Sequence, residues 1–84
     1  MSKIYLEVQV PGNAKTYDFS ADSVMTVRRV KRDFINQIMQ VENRELFKNP
    51  DEVLFCSSNL RGLLQDSEIL GEVGVKSGDK IMLL

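Results

Sequence analysis

Histidine and tryptophan are missing from this chain of 84 residues, cysteine occurs once and proline twice. Without histidine there is neither the commonest general base near neutral pH nor the commonest metal ligand. The lone thiol, Cys56, cannot close an internal disulfide, and an unpaired cysteine fits a reducing compartment. No stretch approaches the roughly 20 apolar residues that span a bilayer. Lys3 and Glu7 interrupt the run that a secretory signal would need. Charge of one sign is also lacking: 11 basic and 12 acidic residues leave a formal net charge of -1. No global field gathers nucleic acid or an anionic membrane, so binding of that kind needs a local patch. The expectation is a cytoplasmic protein that neither inserts in membranes nor binds nucleic acid. Its length suits one domain, residues 1–84, with one core.

What is present reads as alternating strands around one helix. Ile4, Leu6, Val8 and Val10 alternate with Tyr5, Glu7 and Gln9, the period of a strand buried on one face. Pro11, Gly12 and Asn13 supply a turn longer than two residues, after which Tyr17 and Phe19 resume the alternation, so a hairpin is expected. Several N-cap residues lie between Ser20 and Thr26, and the apolar spacing then changes to Val27, Val30, Phe34, Ile38 and Val41. At about 100° per residue these positions form one stripe, with Arg29, Asp33, Asn36 and Gln40 opposite. The helix is expected to end between Gln40 and Asn43, with Leu46 and Phe47 tucked under the sheet and Pro50 barring helix beyond.

Glu52 to Ser57 reads as a third strand, with Val53 and Phe55 on one face and Leu54 and Cys56 on the other. Leu63 and Leu64 suggest a short fourth strand. A turn capped by Asp66 or Ser67 carries Leu70 and Val73 and leaves through Gly74 in a left-handed conformation. Lys80 to Leu84, after Ser77-Gly78-Asp79, forms the last strand, with Ile81 and Leu83 inward and Met82 and Leu84 outward. The order ββαββ, with one helix crossing one face of a mixed sheet, is an α+β arrangement in which first and last strands pair centrally.

Thr26, Val27, Val30, Lys31 and Phe34 resemble the start of the ubiquitin helix, and Val53-Leu54-Phe55 resembles the strand that follows it. Residues 70–84, together with Arg61-Gly62-Leu63-Leu64, look like the C-terminal half of the bacterial YukD/EsaB proteins, small ubiquitin-like accessories of type VII secretion. The resemblance implies a ubiquitin-like β-grasp that acts by binding proteins, a secretion-machine component among them, without catalysis or cofactor. Alternatives are a ubiquitin-like interaction domain of another pathway or a truncated modifier. Conjugation needs a flexible tail ending in Gly-Gly, whereas this sequence ends in Leu83-Leu84.

Two surfaces are candidate protein-binding sites. The outward residues Leu54, Cys56, Met82 and Leu84 adjoin if the third and last strands are neighbours, with Tyr5 extending the same surface; a contiguous apolar patch usually marks an interface. The second is a strip on the helix. Arg28 and Arg32 lie one turn apart, with Ile35 and Met39 continuing that flank, and both arginines are expected to stay exposed and unpaired. A solvated helix face, with Asp33 offsetting Arg29, is the alternative. Lys31 is expected to reach an acidic partner at Asp66, a pairing implied by the ubiquitin resemblance. Cys56 has no base to form its thiolate and reads as a half-buried packing residue. Neither Asp51-Glu52 nor Glu42 with Glu45 has the ligand spacing of a calcium loop, and the glycines form no phosphate loop.

Overall fold

In the computed structural model, which describes residues 2–84, the alternating start of the chain forms β1 (Lys3–Val10), antiparallel to β2 (Lys15–Asp22). Ile4, Leu6, Val8 and Val10 are buried, as period-two alternation requires. The hairpin turn runs from Pro11 to Ala14, and Ala14 adopts a positive φ of 58° to close it. Helix α1 (Val27–Glu42) begins at Thr26, whose Oγ1 accepts from the Arg29 N–H, and ends at Asn43 in the left-handed region. Beyond it come a 3-10 turn (Pro50–Glu52), β3 (Phe55–Ser57), β4 (Gly62–Leu63) and β5 (Lys80–Leu83).

The sheet order is β2-β1-β5-β3-β4, with β1 and β5 parallel at the centre and the other pairs antiparallel. Ile81 and Leu83 of β5 and Phe55 of β3 join the buried face of β1, and α1 covers that face with Val27, Val30, Phe34 and Ile38. Phe34 stacks on Phe19, their ring centroids 4.9 Å apart. Leu46 and Phe47 pack against this core half-buried, Leu70 is fully buried, and Gly74 leaves its turn at φ 96°, all as expected.

Three expectations about the elements are corrected. Val41, assigned to the core stripe, is 69% exposed: the last helical turn is held by Glu42 against the hairpin, which leaves Val41 turned to solvent. Ile35, placed on the basic flank, is fully buried, because a helix lying on a sheet buries a sector wider than a single stripe. The third strand is shorter than the alternation from Glu52 suggests. Asn49 accepts the Asp51 N–H through its side chain and Pro50 sets the helical φ, so residues 50–52 coil before β3 begins.

Candidate functional site

The outer face of the sheet follows from the strand registers. Met82 stands opposite Gln9 on β1 and opposite Cys56 on β3, and Cys56 stands opposite Leu63 on β4. One transverse row therefore reads Gln9, Met82, Cys56, Leu63. Beside it, the Leu84 N–H donates to the Leu54 carbonyl at 3.0 Å, which brings Leu54 and Leu84 abreast. Leu54, Leu63 and Leu84 are 47%, 54% and 55% exposed, while Met82 and Cys56 between them are half-buried. The structure thus gathers the expected Leu54, Cys56, Met82 and Leu84 and adds Leu63, whose outward direction is set by the β3–β4 register and carries no sequence signal of its own.

Tyr5 does not belong to this cluster. It points to the same face but lies four residues before Gln9, about 13 Å along β1 at ~3.3 Å per residue. Glu7 and Lys80, opposite one another and 4.0 Å apart at their charged ends, separate it from Met82.

Desolvation pushes the Cys56 thiol above its ordinary value, the direction opposite to that of an activated nucleophile.

The helix flank differs from expectation at Arg32. Its guanidinium donates from Nε and Nη2 to the Asp51 carboxylate at 2.9–3.2 Å, a fork that holds that carboxyl below its usual range. The acid is a neighbour only because of the 3-10 turn, which alternation through Glu52 does not foresee. Arg28 and Arg29 remain exposed, and Met39 is half-buried. The Val27 and Arg28 amides donate to the carbonyls of Glu68 and Asp66, so the first turn of α1 holds no free N–H there for an anion.

Lys31 meets Asp66 as expected, Nζ to Oδ1 at 2.9 Å. The Lys31 side chain is 2% exposed, and its ammonium also donates to the carbonyls of Val53 at 3.0 Å and Asp51 at 3.4 Å. Glu42 accepts from Lys15 Nζ at 2.6 Å and from the Tyr17 hydroxyl at 2.9 Å, and these donors hold its carboxyl below the usual range. The two carboxylate pairs weighed as cation ligands are thus partly occupied by internal cations. Among the described residues no three potential metal ligands converge, and no helix is long and apolar enough to cross a membrane.

No family model and no curated protein matches the chain. Solved structures do. The N-terminal ubiquitin-like domain of the 4931431F19Rik protein is 22% identical with a TM-score of 0.69, over 98% of this chain and 73% of that one. The ubiquitin-like domain of Arabidopsis thaliana protein At2g32350 is 24% identical with a TM-score of 0.70, over 100% of this chain and 78% of the other. A computationally designed protein templated on human erythrocytic ubiquitin gives a TM-score of 0.73 at 17% identity, over 96% and 89% of the two chains. With the central parallel β1–β5 pair and a single helix on one face of a five-stranded sheet, these likenesses establish the fold as the ubiquitin-like β-grasp.

Proposed function

We propose that this chain is a non-enzymatic docking module that binds another protein through the outer sheet face formed by Leu54, Leu63, Met82 and Leu84. The observation that carries the reading is the convergence of three half-exposed leucines around a half-buried methionine, on or directly flanking three adjacent strands. Isolated exposed apolar side chains are ordinary, whereas a contiguous group signals a partner. The high thiol pKa of Cys56 and the absence of histidine from the sequence support binding over catalysis.

The resemblance of residues 61–64 and 70–84 to YukD/EsaB proteins supports a finer version: a cytosolic accessory of type VII secretion whose partner is a component of that machine. A ubiquitin-like interaction domain of another pathway is the second reading, favoured by the fold shared with domains of larger proteins. Photocrosslinking in the host cell separates them. A photoreactive residue at Leu54 or Leu63 should yield a defined adduct, identified by mass spectrometry as a secretion component. The same group at the exposed but isolated Val41 or Tyr5 should not. Equal adducts from all four positions would refute the docking face, and a partner from elsewhere would select the second reading.

A further inference from the structure

Beside the outer face, between the 3-10 turn and β4, lies a cleft of about 250 Å³. Leu54, Leu63 and Leu64 form its apolar side, and Asp66 and Gln65 lie at its polar end. Its charged groups differ in what they have left to offer. Lys31 is buried, and its three ammonium donors are all directed to protein oxygens: the Asp51 and Val53 carbonyls and Asp66 Oδ1. The Asp51 carboxylate is forked by Arg32. Asp66 is different: its side chain is 47% exposed, and its Oδ2 receives no donor among the described residues. The charged groups of the cleft therefore hold no free cationic donor for an anion and one carboxylate oxygen to accept from a cation.

We propose that this cleft is a subsite for a basic side chain of the docking partner, a lysine or arginine. The methylene stem would lie along Leu54, Leu63 and Leu64 and the cationic head would bond Asp66 Oδ2. Long basic side chains present this combination of apolar stem and charged tip. A carboxylate already bound to one ammonium retains lone pairs for a second donor. An acidic guest is disfavoured, since it would face the Asp66 carboxylate with only the neutral Gln65 amide, and no free cation, to donate to it. The inference deepens the proposed docking function and takes its biological sense from it, but the cleft's preference is measurable without the partner.

The test is an NMR titration of the whole chain with n-butylammonium, n-butanol and n-butyrate, which share a stem and differ in the head. The ammonium should shift the amides of Leu54, Leu64, Gln65 and Asp66 and bind about two- to fivefold more tightly than the alcohol, the range of an exposed ion pair. Butyrate should bind weakest, and added salt should erase the ammonium's advantage. Asp66→Asn should abolish that preference; should it fail to fold, Gln65→Lys, at an exposed position on the rim, should abolish it by supplying a competing amine. Equal binding of ammonium and alcohol, preference for butyrate, absence of shifts in the cleft, or a preference that survives in a folded Asp66→Asn or Gln65→Lys overturns the proposal. None of these outcomes touches the crosslinking result, so the cleft and the docking face stand or fall separately.

Discussion

Lys31 and Asp66 form an ion pair whose two ends live in different media: the lysine side chain is 2% exposed and the aspartate side chain 47%. Removing either partner therefore has unequal consequences. Asp66→Ala leaves a buried ammonium with only the carbonyls of Val53 and Asp51, whereas Lys31→Met leaves a carboxylate that water can solvate, and methionine fills nearly the same volume. Breaking a buried pair from the side that strands the buried charge costs several kcal/mol, while apolar replacement of the buried group is often near neutral. Asp66→Ala should lose about 2 kcal/mol, discounted for the exposure of the carboxylate, and Lys31→Met should stay within about 1 kcal/mol of the parent. Urea unfolding of the two variants gives the comparison, and a larger loss for Lys31→Met would show that the ammonium contributes net attraction.

At the scale of elements, the passage from β2 into α1 is clamped to the segment before β5. Gly71 and Leu70 donate their amides to the carbonyls of Ser23 and Met25 at 2.8 and 3.1 Å, and a Cβ on Gly71 would come within 3.1 Å of both the Ser23 carbonyl oxygen and its Cβ. Gly71→Val should therefore destabilise by about 1–3 kcal/mol, the usual penalty for overpacking, visible in the thermal midpoint. A second clamp ties the hairpin to the end of α1 through Glu42. Lys15 and then Tyr17 lower its pKa from an ordinary value of 4.5, so the folded-state pKa lies below the unfolded one. The stabilisation is present above pH 4.5 and is lost as pH falls through the lowered pKa. Glu42→Gln should flatten the acid limb of stability below that pH, and an unchanged limb would locate it elsewhere, with Asp51 the next carboxylate to examine. The elements themselves differ in how far they were legible. β1, α1 and β5 follow from their own periodicity because each buries one face against the same core. The start of β3 was not legible, since alternation from Glu52 onward reads as strand while the Asn49 side chain and Pro50 wind residues 50–52 into a 3-10 turn. The Arg32–Asp51 fork and the direction of Leu63 were also hidden, because both depend on how distant segments are brought together.

Across the whole molecule, one sheet serves two solvents, and the two faces respond differently to the same substitution. Phe34 of the helix and Leu6 of the sheet are both in the core, 1% and 2% exposed, so Phe34→Asp or Leu6→Asp places an unpaired carboxylate there and should unfold the domain. Leu54 and Leu63 lie on the opposite face, about half exposed, and an aspartate there remains hydrated. Leu54→Asp and Leu63→Asp should shift the urea midpoint little, with Met82→Asp intermediate because that side chain is half-buried by its row. Partner binding should follow the reverse order. A complex covering these side chains gains about 25 cal/mol per Å² of apolar area, and it must first offset the loss of free motion on association, so a single charge at the centre is enough to abolish a modest affinity. Measuring each variant's midpoint beside its crosslinking yield separates the two effects. Leu54→Asp and Leu63→Asp should keep the fold and lose the adduct, whereas Val41→Asp, at an exposed apolar position outside this patch, should keep both. If Leu54→Asp destabilises the chain as much as Phe34→Asp, the outer leucines belong to the folding core; if it leaves the adduct intact, the partner sits elsewhere, and the exposed Arg28 and Arg29 flank of α1 becomes the next surface to probe.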